Sequence, residues 1–191
     1  MRRLSRSRLS ALFVAILLPA PATADALSRR LLVNGDSLAV GTKPHIPSEL
    51  PGWKVRQSTA VSRHAHQGAK VMRRYGRSLP RVIHVSLGTN DDPRQVAAFR
   101  DAIGEVMEAA GPRRCVVWAN IVRPPYRRVT YRSYNRVLAE EDERRENLMV
   151  LNWVRMVRRH PGWLADDGVH VSAAGYAARA SAVARLVRRC K

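Results

Sequence analysis

Three short segments of this chain carry side chains that could form a nucleophilic catalytic site. Ser37 follows an apolar run and an Asn-Gly pair, and Asn90 lies in a Gly-Thr-Asn-Asp segment. Asp167 and His170 stand three residues apart near the end of the chain. A serine hydroxyl is a weak nucleophile near neutral pH and needs a base, usually a histidine whose orientation a carboxylate fixes. An amide side chain can donate to the oxyanion that forms during acyl transfer, so these residue types predict a serine-dependent reaction on acyl groups.

Each segment also has a purely structural interpretation. Aspartate and serine are favoured at helix N-termini, so Asp36 and Ser37 could simply cap the helix that follows them. What favours chemistry is the place of these residues relative to the strands. In an open parallel sheet, ligands bind at the carboxyl ends of the strands, which is where we expect Ser37 and Asn90 to lie.

An alternation of apolar runs and helical patterns predicts the elements that position these residues. We expect helices over residues 62–75, 92–110, 131–146 and 172–187, and strands over residues 30–33, 53–57, 81–87, 115–122 and 148–152. Strands that alternate with helices favour right-handed crossovers and a parallel sheet covered on both faces. The predicted fold class is therefore α/β, a three-layer α/β/α sandwich.

The first 24 residues are predicted to be a secretory signal peptide. Arginines at positions 2, 3, 6 and 8 precede an apolar run over residues 9–18, and Ala22-Thr23-Ala24 matches an A-x-A cleavage site. The run is shorter than the roughly 20 apolar residues of a membrane-spanning helix. We therefore expect cleavage near Ala24, secretion, and a mature domain over residues 25–191. The Arg2-Arg3 pair leaves the twin-arginine route open beside Sec-type export.

The chain is strongly basic, with 34 Lys and Arg against 15 Asp and Glu and a formal net charge of +19. Such a charge attracts polyanions without specifying one, and we expect electrostatic association with an anionic cell envelope. Zinc-finger spacing, a basic zipper and an aromatic-basic RNA-binding motif are all missing from the sequence, so no specific nucleic-acid partner is predicted. His64 and His66 lack a third ligand at suitable spacing, so we predict no metal site.

Two cysteines are present, Cys115 and Cys190, and export permits a disulfide between them. Cys115 opens a predicted strand, whereas Cys190 ends the predicted final helix. The helices of an α/β sheet run antiparallel to its strands, so both cysteines should lie at the end of the sheet away from the active face. We predict that they pair.

In sequence order, the three polar segments resemble blocks of the SGNH, or GDSL-like, hydrolases. Gly35-Asp36-Ser37 matches the first block, Gly88-Thr89-Asn90-Asp91 the third, and Asp167-Gly168-Val169-His170 the last. The resemblance covers essentially the whole mature chain. It implies a flavodoxin-like, five-stranded parallel sheet of order 2-1-3-4-5. It also implies hydrolysis of carboxylic esters, such as small-molecule or envelope-polymer acyl esters, through an acyl-enzyme intermediate with no cofactor.

The same resemblance implies a role for each matching residue. It makes Ser37 the nucleophile, His170 the general base and Asp167 the acid that orients the imidazole. The family's D-x-x-H spacing selects Asp167 over its neighbour Asp166. Asn90 would donate to the oxyanion from its side chain, together with the backbone N–H of Ser37.

The second block of the family is irregular in this chain. The family has a glycine soon after the second strand, and its backbone N–H helps to bind the oxyanion. Ser62 lines up best with that position, and the nearest glycine, Gly68, falls inside the predicted helix. Because the donor is a main-chain group, serine can supply it provided that its φ is negative. We predict Ser62 as the donor, with Gly68 as the alternative.

Substrate contacts and the fate of the acyl group are less constrained by the sequence. Arg123 and Trp163 lie on loops predicted at the active face, and we expect them to bind substrate. The same site could pass the acyl group to another alcohol and act as an acyltransferase. A basic, non-catalytic envelope-binding protein on this fold is the third hypothesis, and the Ser-Asp-His set argues against it.

Overall fold

Five parallel strands form the central sheet of the computed structural model, which describes residues 29–190. The strands are β1 (Arg30–Gly35), β2 (Lys54–Thr59), β3 (Val82–Ser86), β4 (Cys115–Ala119) and β5 (Leu148–Leu151). They pair in the order β2-β1-β3-β4-β5, and all four pairings are parallel. The predicted fold class and strand order are confirmed. The predicted signal peptide, residues 1–24, lies outside the described residues.

Helices cover both faces of the sheet. They are α1 (Ser37–Thr42), α2 (Ile46–Glu49), α3 (Ala65–Tyr75), α4 (Val96–Ala110), α5 (Arg132–Arg144), α6 (Trp153–Arg159) and α7 (Ala173–Val187). Helices α3, α4 and α5 bury apolar residues against one face. Helices α1, α2 and α7 cover the other face, which completes the three-layer sandwich.

The strands are apolar on both sides because both faces are covered. In β1, Leu32 belongs to the first core, whereas Leu31 and Val33 belong to the second, because successive side chains of a strand point to opposite faces. All three are at most 1% exposed. This burial explains why the run has no polar alternation.

The register of β2, β1 and β3 brings their carboxyl ends to one rim. Gly35, the last residue of β1, pairs with Thr59 of β2 and with Ser86 of β3. A Cβ on Gly35 would lie 2.4 Å from the Cβ of Ala39, so only glycine lets α1 turn back so tightly over β1. The segments that follow these strands therefore leave the sheet side by side.

The disulfide lies at the opposite end of the sheet, where the strands begin. Cys115 begins β4, and it is bonded to Cys190, which follows α7. This is the pairing that the sequence predicts from the antiparallel course of the final helix. Within residues 29–190, none of the helices has the length and apolar content needed to cross a membrane.

Several predicted boundaries differ from the observed ones. Helix α3 begins at Ala65 rather than at residue 62, because Ser62 has a φ of 57° and leaves the helical region. Strand β4 ends at Ala119 rather than at residue 122. Ala119 pairs with Leu151, the last residue of the neighbouring strand β5. Helix α4 begins at Val96 rather than at residue 92, after a turn in which Asp92 accepts hydrogen bonds from Arg94.

Candidate active site

Ser37, His170 and Asp167 form one hydrogen-bonded line at the carboxyl rim of the sheet. Ser37 Oγ lies 2.9 Å from His170 Nε2, and His170 Nδ1 lies 2.5 Å from Asp167 Oδ2. With a proton on Nδ1, the imidazole donates to the carboxylate and accepts from the hydroxyl, which is the arrangement a general base needs. Residues 133 positions apart in the chain thus meet through tertiary folding.

The turn between β1 and α1 sets the position of Ser37. The Asp36 N–H donates to the Ser86 carbonyl at 3.0 Å, and Asp36 Oδ1 accepts from the Leu38 N–H at 3.0 Å. Asp36 therefore caps α1, and Ser37 becomes the first residue of that helix. The first N–H groups of a helix have no intrahelical acceptor, so the backbone N–H of Ser37 is suited to bind an oxyanion.

The loop before α7 holds Asp167 and His170 together. Asp167 Oδ1 accepts from the N–H groups of Val169 and His170, both at 2.9 Å. The loop closes on itself where the Ala165 N–H donates to the His170 carbonyl at 2.9 Å. Hydrogen bonding to the His170 side chain, more than any other contact, lowers the pKa of Asp167 to about 2. The carboxylate therefore stays ionised and keeps its acceptor role across the neutral range.

Two neighbours orient the side-chain amide of Asn90. Its Nδ2 donates to the Arg63 carbonyl at 3.3 Å, and its Oδ1 accepts from Arg123 Nη1 at 3.4 Å. The same Arg123 nitrogen donates to the Thr89 carbonyl at 2.5 Å. Because a guanidinium can only donate, this contact fixes which end of the amide is oxygen. The bond to Arg63 uses one of the two amide N–H groups, and Asn90 lines the cleft.

Ser62 and Gly68 are the two candidates for the second backbone donor to the oxyanion. Gly68 lies inside α3, where its N–H donates to the His64 carbonyl at 3.2 Å. A Cβ on Gly68 would lie 2.1 Å from Leu87 Cδ1, so packing accounts for this glycine. As an oxyanion donor, Gly68 was the wrong alternative. Ser62 has a φ of 57°, so the expected negative φ is also wrong, and its N–H as a donor stays a prediction.

The Ser62 turn is tied to its neighbours on both sides. The Arg63 guanidinium donates to Asn34 Oδ1 at 3.1 Å and to the Ser58 carbonyl. The carboxylate of Asp91 accepts from the Ala65 N–H at 3.0 Å, so Asp91 caps α3 rather than the helix that follows it in sequence. These contacts connect the loop after β2 with β1 and with the Asn90 segment.

A buried polar network beneath Ser37 was missed by the sequence analysis. Arg179 of α7 is 1% exposed, and its Nη2 donates to Ser86 Oγ at 3.0 Å. Ser86 Oγ in turn lies 3.4 Å from Asp36 Oδ1, and Asp36 is 0% exposed. The Arg179 guanidinium also stacks over the Trp153 ring at 4.9 Å. The available signal was an arginine within the apolar stripe of the last helix.

Burial and opposite charge act against each other in this network. Burial raises the pKa of the Asp36 carboxyl, and the nearby Arg179 guanidinium partly offsets that rise. Burial lowers the pKa of Arg179 to about 10, so the side chain stays charged at neutral pH. The cation is therefore the main group that favours an ionised carboxylate next to Ser37.

The cleft in front of Ser37 and His170 encloses about 320 Å³. Its lining consists of Ser37, Asn90, Arg123, Pro124, Pro125, Tyr126, Asp167, Val169 and His170. Of the two residues predicted to bind substrate, Arg123 lines the cleft and Trp163 does not. Trp163 instead stacks on His160 with ring centres 4.2 Å apart and on Trp153 at 5.8 Å, behind the His170 loop. Substrate binding by Trp163, which was expected from its loop at the active face, therefore stays a prediction without support from the lining of the cleft.

Comparison with solved structures identifies the fold. The chain is similar to the catalytic domain of peptidoglycan O-acetyltransferase A of Streptococcus pneumoniae, with a TM-score of 0.66 and 19% identity over 84% of this chain and 90% of that domain. It is also similar to TesA, with a TM-score of 0.68 and 18% identity over 85% of this chain and 99% of TesA. A GDSL-like lipase of Bacteroides thetaiotaomicron matches at a TM-score of 0.66 and 16% identity over 86% of this chain and 90% of the lipase. The chain has the SGNH, or GDSL-like, fold.

Sequence comparison finds a second set of similar proteins. The chain is 25% identical over 162 residues, 83% of its length, to Staphylococcus aureus proteins that carry the provisional name O-acetyltransferase. It spans about a quarter of the length of these curated relatives. No family model matches the chain.

Proposed function

We propose that this chain is a serine esterase that hydrolyses carboxylic esters through an acyl-enzyme intermediate. The observation that supports this most directly is the hydrogen-bonded line from Ser37 Oγ to His170 and Asp167, with distances of 2.9 and 2.5 Å. The Asn90 amide lines the same cleft. A nucleophile, its base, an orienting acid and an oxyanion donor in one cleft are the groups that acyl transfer requires.

In the first half of the proposed reaction, Ser37 Oγ attacks the ester carbonyl while His170 Nε2 takes the hydroxyl proton. The carbonyl oxygen becomes an oxyanion, which accepts hydrogen bonds from the Asn90 amide and the Ser37 backbone N–H. When the tetrahedral intermediate collapses, His170 returns the proton to the departing alcohol. The acyl group is then bonded to Ser37.

In the second half, water takes the place of the alcohol. His170 removes a proton from the water as it attacks the acyl-enzyme carbonyl, and the same donors hold the second oxyanion. Collapse releases the carboxylic acid and returns the proton to Ser37. Asp167 stabilises the imidazolium that forms in each half, and it stays ionised throughout.

Labelling with a fluorophosphonate probe tests the proposal. We expect one covalent adduct on Ser37, no adduct in Ser37→Ala, and strongly reduced labelling in His170→Ala. By analogy with other serine hydrolases, kcat should fall by on the order of 10⁶ in either variant. Ester hydrolysis by Ser37→Ala at the wild-type rate would contradict the assignment. A protein that takes no label and cleaves no ester would favour a non-catalytic binding role.

Acyl transfer to an alcohol other than water is the second candidate. It is favoured by the matches to an O-acetyltransferase domain and to proteins named as O-acetyltransferases. Hydrolysis and transfer share the acyl-enzyme and differ only in what attacks it. Adding methanol or a sugar alcohol to an esterase assay separates them. Transfer products that far exceed the share expected from the acceptor concentration would favour a transferase.

We also propose that the protein is exported and that residues 1–24 are removed on the way. The disulfide between Cys115 and Cys190 supports this, because such bonds persist in oxidising compartments. Electrostatic association with an anionic envelope would follow from the net charge of +19. N-terminal sequencing of the exported protein should find a start near Asp25. An intact N-terminus on protein in the culture medium would contradict cleavage.

A further inference from the structure

A groove rich in arginine lies beyond the catalytic cleft, at the ends of β4 and β5. We call it the arginine groove; it encloses about 730 Å³ and is lined by Arg132, Arg155, Arg158 and Arg159 together with asparagines. A hollow of about 380 Å³ separates it from the cleft. Arg123 lines both the cleft and the hollow, and Arg158 lines both the hollow and the groove. The hollow therefore shares a lining residue with the cleft on one side and with the groove on the other.

Among residues 29–190, no acidic side chain neutralises the charge of the arginine groove. Its lining contains no carboxylate, and within residues 29–190 none of its four arginines forms an ion pair. The acidic end of α5 behaves differently, since Glu141 pairs with Arg100, Arg144 and Arg145. Like charges gathered in a concave surface reinforce one another and raise the local concentration of anions.

The packing of α6 explains why its arginines share one surface. Asn120 Oδ1 accepts from the Val154 N–H at 2.8 Å, and Asn152 Oδ1 accepts from the Arg155 N–H at 3.0 Å. These bonds attach the start of α6 to the ends of β4 and β5. The apolar side of the helix is buried through Trp153 and Val157. The arginines at positions 155, 158 and 159 then fall on the opposite face at helical spacing.

We propose that the arginine groove binds anionic groups of the substrate, so that the preferred substrate is an ester carried by a polyanionic chain. The ester would react at Ser37 while carboxylates or phosphates of the same chain lie against Arg155 and Arg158. This inference rests on the proposed function, and it adds the chemical class of the substrate. The charge complementarity and the lining residues that the hollow shares with the groove and with the cleft support it.

A pair of matched variants tests the proposal. Arg155→Gln/Arg158→Gln removes two charges from the groove. The control, Arg74→Gln/Arg77→Gln, removes two exposed arginines, one in the last turn of α3 and one in the short turn after it. Neither forms an ion pair in the part of the chain described here. Both variants have the same net charge, so a difference between them reports the position of the charges.

Kinetics on two esters give the first result. On acetylated polygalacturonate at low salt, the groove variant should lose about tenfold or more in kcat/KM, as expected when charged contacts are removed, and 0.5 M salt should shrink the difference. On 4-nitrophenyl acetate, which is neutral and small, both variants should stay within about twofold of wild type. Equal losses for groove and control variants on the polymer would overturn the proposal.

Binding gives a second result that does not depend on catalysis. Unesterified polygalacturonate and inorganic polyphosphate are titrated against each protein at low salt. The groove variant should bind at least one of them about tenfold more weakly than the control variant, and the polymer affected identifies carboxylate or phosphate as the recognised group. If the groove variant bound both polymers as tightly as the control variant, the proposed role of the groove would be overturned, even if the protein hydrolyses esters. If the wild-type protein bound the polymers but hydrolysed no ester, the proposed function would be rejected and the groove would stand.

Discussion

Replacing Arg179 with methionine is the most informative perturbation of the site that does not touch a proposed catalytic group. The change keeps an unbranched apolar stem and removes a buried cation that bonds to Ser86 Oγ at 3.0 Å. It leaves Asp36 buried, with Oδ1 shared between Leu38 and Ser86 and with no hydrogen-bond partner for Oδ2. In the described residues the two charges are linked through Ser86 Oγ and not by a direct ion pair. The usual cost of breaking a buried ion pair, about 3–5 kcal/mol, is therefore an upper bound on the loss of stability.

The loss of stability should depend on pH because protonation of Asp36 removes the buried negative charge. Burial already raises the pKa of Asp36, and loss of the Arg179 charge would raise it further. A carboxyl whose pKa is higher in the folded state stabilises that state at low pH, and the contribution is lost as the pH rises. Arg179→Met should therefore cost more stability at pH 8 than at pH 5.

Urea unfolding of Arg179→Met, Asp36→Asn and the double variant forms a thermodynamic cycle. Asparagine caps helices as well as aspartate does, so Asp36→Asn removes the charge and keeps the cap on α1. The double variant should recover most of the stability lost in Arg179→Met, since no unpaired charge remains. Additive losses, or a loss below about 1 kcal/mol in Arg179→Met, would refute the coupling.

Three further predictions concern single residues. Ser62→Gly should stabilise the protein by up to about 1 kcal/mol in urea unfolding while esterase activity is kept, because glycine accepts the φ of 57° and retains the N–H. Asn90→Ala should lower kcat by about 10²–10³ and leave fluorophosphonate labelling of Ser37 detectable, which steady-state kinetics and mass spectrometry would check. Burial lowers the pKa of His84 from 6.5 to about 3. The free energy of unfolding should therefore fall as the pH drops between these values, by at most about 5 kcal/mol. His84→Met should flatten this pH dependence in unfolding measured from pH 7 to pH 4.

Much of the fold could be predicted because local sequence patterns indicate the strands and helices. Apolar runs that end in turns, with helical spacing between them, were enough to predict a parallel sheet covered on both faces. The strand order followed from the resemblance of the three polar segments to the SGNH hydrolases. Ser37, Asn90 and His170 were candidates for one rim because each follows a strand or precedes a helix, and such ends converge in a parallel sheet. The pairing of Cys115 with Cys190 follows from the same geometry.

Other features were decided only by tertiary packing. Arg179 is an ordinary basic residue in a sequence with 34 of them, and its burial depends on Ser86, which is 93 positions away. The ring of Trp163 packs inward because Trp153 and His160 are there to stack on it. The sequence by itself determined which residues could do chemistry and at which strand ends they lie. The tertiary structure decided which charges are buried, paired or gathered in a groove, because the energy of a charge depends on neighbours that are distant along the chain.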